Sequence, residues 1–129
     1  MRKLNILIVD DEPIIHEAFI TSFKSEITSG AVDMSFCLNG QECLEILMKD
    51  PQKYKGGVIV VDLNMPKMDG FQLLEYIKEK HPDVSVSVAS AYSSDDYKKM
   101  AKDKGASHYY IKPLNVFDIR SSIIKEYLT

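Results

Sequence analysis

Five short apolar runs, each followed by a longer stretch whose apolar residues recur at helical spacing, constrain this chain more than any other feature of its sequence. Strands that read as near-continuous Val, Ile and Leu are buried on both faces, and such strands pair in parallel when helices cross back and cover the sheet. The pattern predicts an α/β domain, a doubly wound parallel sheet of five strand and helix units with helices on both faces.

Ile6 to Val9 is the first such run, and Pro13 suits the first turn of the helix that follows, whose inner stripe would be Ile15, Ala18, Phe19, Ser22 and Phe23. Val32, Met34, Phe36 and Leu38 alternate as a second strand; Asn39 or Gly40 can cap a helix burying Leu44, Leu47 and Met48. Asp50, Pro51, Gly56 and Gly57 mark a loop before Val58 to Val61, the most apolar run and therefore a central strand. Asp62 ends it, Leu63 to Gly70 read as a turn, and a helix from Asp69 or Gly70 buries Leu73, Leu74 and Ile77. Val84, Val86 and Val88 alternate with serines into Ala89, Ser90 and Ala91, after which Ser93 or Ser94 can cap a helix that ends near Gly105. His108 to Ile111 form the fifth strand, and Asn115 caps a last helix burying Val116, Ile119, Ile123 and Tyr127.

At 129 residues the chain has the size of one domain, and residues 1–129 are read as a single unit. No apolar stretch approaches the roughly 20 residues that cross a bilayer, and the first residues lack a signal-peptide pattern, so the expected location is the cytoplasm. Cys37 and Cys43 are too few for a disulfide framework and are expected to be reduced, half-buried thiols. A net charge of -3 gives no pull toward nucleic acid, and the local group Lys98, Lys99, Lys102 and Lys104 reads as a solvated helix face.

In an open parallel sheet, ligands bind outside the carboxyl ends of the strands. Here those ends carry Asp10, Asp11 and Glu12 on the first strand, Asp62 on the third, Ser90 on the fourth and Lys112 on the fifth. Carboxylates crowded into one cleft must share a proton or recruit a hard cation, and an oxygen-only set suits Mg²⁺ or Mn²⁺. A lysine opposite them neutralises developing charge and a serine hydroxyl donates to another oxygen, which is the equipment of phosphoryl transfer to a carboxylate. Each residue alone also has a structural role: Asp10 and Asp11 could cap the helix before Pro13, Asp62 could end a strand, Lys112 could be a solvated loop residue, and Ser90 could pack among alanines. Their coincidence at one edge favours chemistry.

Four motifs then carry a family resemblance. Ile-Leu-Ile-Val-Asp-Asp-Glu-Pro at positions 6 to 13, Val-Val-Asp-Leu-Asn-Met-Pro-Lys-Met-Asp-Gly at 60 to 70, Ala-Ser-Ala at 89 to 91 and Tyr-Tyr-Ile-Lys-Pro at 109 to 113 resemble the receiver domain of two-component response regulators. The resemblance covers essentially the whole chain and implies the flavodoxin-like strand order 2-1-3-4-5. It implies Asp62 as phosphoacceptor, Mg²⁺ on Asp11 and Asp62 with Asp10 acting through a metal-bound water and the Asn64 carbonyl completing the ligands, Lys112 on the phosphoryl group, and Ser90 bonding to it after transfer. The switch would pair Ser90 with Tyr109, three positions before the lysine, and reshape the face of the fourth helix, fifth strand and fifth helix. Tyr110 competes for that role by composition, alternation puts the two tyrosines on opposite faces, and Tyr109 is the one chosen. Asn64 and Tyr92 occupy positions that modulate the lifetime of the phosphoryl group.

The resemblance also implies partners: a sensor histidine kinase or phosphotransfer protein docking near Ile14 to Phe23, an output domain or protein reading the surface near Lys98 to Lys104 and Tyr109, and a possible phosphorylation-dependent dimer through that face. It implies a phosphoacceptor and not a turnover enzyme, with no membrane and no direct nucleic-acid contact. Lys49 to Gly57 looks longer than usual and reads as a surface loop. A magnesium-dependent phosphatase of the haloacid dehalogenase type has a similar residue set, but its nucleophile lies on the first strand, with an acid where Asn64 stands. A flavin carrier would need a phosphate-binding first loop, which Asp10, Asp11 and Glu12 would repel. His16 and Glu17 lack the second histidine of a metalloprotease, since position 20 is Ile20. A phosphorylation-independent interaction module is the remaining alternative.

Overall fold

The apolar runs form the centre of a five-stranded parallel sheet in the computed structural model, which describes residues 3–65 and 69–128. Its elements are β1 (Leu4–Val9), α1 (Pro13–Ser22), α2 (Lys24–Ser29), β2 (Val32–Cys37), α3 (Gly40–Lys49), β3 (Val58–Asp62), α4 (Gly70–Lys80), β4 (Ser85–Ser90), α5 (Asp95–Asp103), β5 (His108–Ile111) and α6 (Val116–Tyr127). The strand order is β2-β1-β3-β4-β5, the doubly wound arrangement expected from the sequence. Pro66 to Met68, in the second family motif, lie outside the described residues.

Alternation along the strands divides the core into two layers. Leu7, Val9, Ile59 and Val61 meet Leu47, Leu73, Leu74, Ile77 and Ala101 on one face, with Tyr109 packed against them. Leu4, Ile6, Ile8, Val58 and Val60 meet Phe19, Phe23, Val116, Ile119 and Ile123 on the other, where Tyr110 packs. The two tyrosines therefore lie on opposite faces, as the period of two requires. Each fully buried side chain of this kind contributes roughly 1.5–3 kcal/mol relative to exposure.

The helix starts follow their caps. Asn39 Oδ1 accepts from the Glu42 amide at 2.9 Å, which selects Asn39 over Gly40 as the cap, while Glu42 Oε1 accepts from the Leu38 amide at 2.7 Å and ties down the residue before it. Asp69, Ser94 and Asn115 accept from Phe71, Tyr97 and Asp118 amides in the same way. Gly57 permits the close passage of the loop under β1, because a Cβ there would lie 2.4 Å from the Asn5 carbonyl oxygen.

Several expectations are corrected. The first unit holds two helices, because the chain breaks helical geometry at Phe23, which still reaches the core; the expected fourth and fifth helices are thus α5 and α6. β2 stops at Cys37, leaving Leu38 exposed. Met48 is 71% exposed, since α3 faces the sheet along the row Gly40, Cys43 and Leu47. Cys37 and Cys43 are free and fully buried, not half-buried, and the Cys37 thiol together with burial pushes the Cys43 thiol far above its usual range. The expected surface loop before β3 carries Tyr54 into the core at 1% exposure.

Candidate functional site

Strand register assembles the site. Val9 pairs with Val61, so Asp10 and Asp62 follow side by side on neighbouring strands. Asp62 pairs with Ala89 and Ser90 with Ile111, so Ser90 and then Lys112 come next along the same edge. The Lys112 amide donates to the Ser90 carbonyl at 2.9 Å, and the Lys112-Pro113 peptide is cis.

Asp10 and Asp62 are each 2% exposed, whereas Asp11 and Glu12 face solvent. One carboxylate oxygen from each of these four residues lies within 4.8 Å of every other. Ligand oxygens across an octahedral Mg²⁺ are about 4.2 Å apart, so small side-chain rotations would close the set around a hard cation. Glu12, outside the ligand set that the resemblance implies, thus joins the cluster. Asp10 Oδ1 accepts from the Glu12 amide at 2.8 Å, a tight turn before α1, and no side chain caps that helix. The capping alternative for the acidic pair is not what the structure adopts.

Burial pushes the Asp10 carboxyl up to about 6, with the negative charges of Asp62 and Glu12 adding to it and the Glu12 amide and Lys112 opposing it. Lys112 Nζ supplies one positive charge, 2.8 Å from Asp62 Oδ1. The same Oδ1 accepts from the Asn64 amide at 2.8 Å.

The two loops above the site are tied together. Asn64 Oδ1 accepts from the Ala91 amide at 2.8 Å, joining the turn after β3 to the turn after β4. Ser90 is fully buried, and its Oγ accepts from the Tyr92 amide at 3.0 Å. The Tyr92 carbonyl accepts from the Tyr109 hydroxyl at 2.6 Å. Thus Asp10, Asp11, Asp62, Asn64, Ser90 and Lys112 meet at one edge, and Tyr109 connects to it through Tyr92. Sequence reasoning missed the rings beyond: Tyr92 stacks on Tyr97, and Tyr97 on Phe71. The aromatics in the first turns of consecutive helices were the available signal.

Residues 6–124 match the family described as the response regulator receiver domain. The chain is 34% identical over 92% of its length to the uncharacterized transcriptional regulatory protein YesN of Bacillus subtilis, and 31% identical over 95% to the response regulator protein PilR of Pseudomonas aeruginosa. It spans only 31% and 26% of the lengths of those two proteins. Among solved structures, the signal receiver domain of a putative LuxO repressor protein from Vibrio parahaemolyticus superposes with a TM-score of 0.82 at 22% identity, covering 96% of this chain and 89% of that one, a likeness of fold.

Proposed function

This chain belongs to the response regulator receiver family of two-component systems, and from that membership we propose that it is a switch operated by phosphorylation of Asp62. The carrying observation is the Lys112 ammonium 2.8 Å from an almost fully buried Asp62 carboxylate, beside three further acids. Asp10, Asp11, Asp62 and the Asn64 main-chain carbonyl are the proposed holders of Mg²⁺, for which Mn²⁺ could substitute. When bound, the cation neutralises charge on the transferred phosphoryl oxygens.

A carboxylate oxygen of Asp62 attacks the phosphorus of a phosphohistidine on a sensor histidine kinase or phosphotransfer protein. The P–N bond breaks, its electron pair stays on the imidazole nitrogen, and a proton then neutralises that nitrogen. The Lys112 ammonium offsets the charge arriving at Asp62 and leaves its present ion pair to meet a phosphoryl oxygen. Ser90, whose Oγ accepts from Tyr92 and whose O–H remains free to donate, bonds the same group. Because Tyr92 also accepts from Tyr109, a shift at Ser90 is transmitted to β5 and the faces of α5 and α6.

The chain acts, in this reading, as a single receiver domain over residues 1–129 in the cytoplasm, controlling an output domain or protein without touching nucleic acid itself. No helix among the described residues is long and apolar enough to cross a membrane. Dimerisation through α5, β5 and α6 on phosphorylation belongs to the same proposal, and sedimentation showing a monomer in both states would remove that part. The central test is incubation with acetyl phosphate and Mg²⁺, followed by intact mass. One phosphoryl group on the wild type and none on Asp62→Ala is expected; a label that persists on the variant overturns the assignment.

A further inference from the structure

Tyr92 is joined to the site through its backbone and to the helices through its ring. Its amide donates to Ser90 Oγ and its carbonyl accepts from Tyr109. Its half-exposed ring lies 4.6 Å from that of Tyr97 at an interplanar angle of 13°, and Tyr97 lies 6.0 Å from Phe71 at 25°. Phe71 and Tyr97 are themselves fixed. The Phe71 amide donates to the cap residue Asp69 of α4, and the Tyr97 amide to the cap residue Ser94 of α5. The three rings therefore brace the turn after β4 against the first turns of two helices. They wall a groove of about 490 Å³ that opens beside Asn64.

We propose that Tyr97 is a positioning residue for phosphoryl transfer: stacked between Phe71 and Tyr92, it holds the turn that carries the Tyr92 amide, the donor to Ser90 Oγ at the end of β4. The proposal rests on Asp62 being the acceptor, but the brace itself is a property of the unmodified chain. Ser90 is the last residue of β4, and the turn that follows is tied to its neighbours by the bond from the Ala91 amide to Asn64 and by the bond from the Tyr109 hydroxyl to the Tyr92 carbonyl. Exposed main chain of this kind gains its order from side-chain packing, and stacked aromatic pairs supply that order with a defined geometry. A turn already ordered beside the acceptor strand need not be ordered while the phosphoryl group arrives. The ring of Tyr97 meets Tyr92 and Phe71 and its amide donates to Ser94, so the brace acts on the rate of transfer and not on cation binding.

The test uses the full chain as wild type, Tyr97→Ala and Tyr97→Phe. First, amide hydrogen exchange of Tyr92 is read by NMR without any phosphodonor. The alanine variant should exchange about three- to tenfold faster at this amide, the factor that corresponds to loss of an aromatic pair, while Tyr97→Phe, which keeps the ring, should restore protection. Second, phosphorylation by acetyl phosphate with Mg²⁺ is followed across donor concentration. Tyr97→Ala should lower the limiting rate by a similar factor, leaving the half-saturating donor concentration and the Mg²⁺ titration unchanged, and Tyr97→Phe should recover the rate. Unchanged Tyr92 exchange in Tyr97→Ala overturns the brace. Faster exchange with an unchanged limiting rate overturns its role in transfer, and so does a phenylalanine variant as slow as the alanine one. A wild type that takes no phosphoryl group would overturn the acceptor reading and the role in transfer together, while the exchange measurement would still decide the brace.

Discussion

Lys112 Nζ lies 2.8 Å from Asp62 Oδ1, pairing a side chain 21% exposed with one 2% exposed. The buried carboxylate depends on this lysine for countercharge, whereas the lysine keeps contact with water. Breaking such a pair leaves an uncompensated charge, but one that a cation can claim.

Lys112→Ala should therefore destabilise the metal-free protein by about 1–3 kcal/mol, discounted from a fully buried pair because the lysine is partly solvated. The same variant should bind Mg²⁺ more tightly, because a competing positive charge has gone, and accept phosphoryl groups more slowly. Urea denaturation and calorimetric titration separate the two effects. Weaker Mg²⁺ binding in the variant would contradict the competition.

Asp10 sets a pH dependence of the opposite sign to an ordinary salt-bridged carboxylate. Its folded value of about 6 lies above its ordinary 3.8, so the native state holds the proton longer than the unfolded chain. The stabilising contribution of protonated Asp10 is present below pH 4 and is lost as pH rises through 6, by up to about 3 kcal/mol. Asp10→Asn should consequently be more stable than the wild type at pH 7 without metal, with the difference shrinking toward pH 4. Urea midpoints from pH 4 to 8 check this, and Mg²⁺ binding to the wild type should weaken below pH 6 as protons compete for the cluster.

Gly70 begins α4 directly against the acceptor loop. A Cβ there would lie 2.7 Å from both Leu63 Cα and Leu63 Cδ2, and Leu63 stands between Asp62 and Asn64. Gly70→Ala should cost about 1–3 kcal/mol through overpacking and should also lower Mg²⁺ affinity, since the loop must shift. An unchanged magnesium titration would show that the loop yields elsewhere.

Tyr54 presents a buried hydroxyl with no hydrogen-bond partner among the described residues. Its ring belongs to the core and its oxygen is a burden there. Tyr54→Phe should be neutral or stabilising by up to about 1 kcal/mol, whereas Tyr54→Ala should cost about 3–5 kcal/mol. Thermal and urea denaturation of the pair would check both signs, and a large loss in the phenylalanine variant would reveal an ordered water on the hydroxyl.

The five strands, the cap at Asn115, a two-residue choice for each of the caps at Asn39, Asp69 and Ser94, and the convergence of Asp10, Asp62, Ser90 and Lys112 were legible in the residue order, because each follows from a local rule. An apolar run buried on both faces ends where a polar residue begins, and parallel strands in register bring those ends together. The opposed faces of Tyr109 and Tyr110 follow from the same period of two.

Tertiary packing decided what no local rule could. Leu47 and Met48 are adjacent candidates on α3, and the docking of the helix along its Gly40 and Cys43 row turned one inward and the other to solvent. Tyr54 entered the core because the space beneath β1 and β3 had to be filled, a demand set by residues distant in sequence. Glu12 joined the acidic cluster, and Phe71, Tyr97 and Tyr92 met in one stack, because separate elements placed them there. Sequence by itself determined the sheet and the polar residues at its edge, since strand period and strand ends are local properties. Only the tertiary structure decided which surrounding side chains hold that edge in place, since a contact between distant residues depends on the packing of the whole domain.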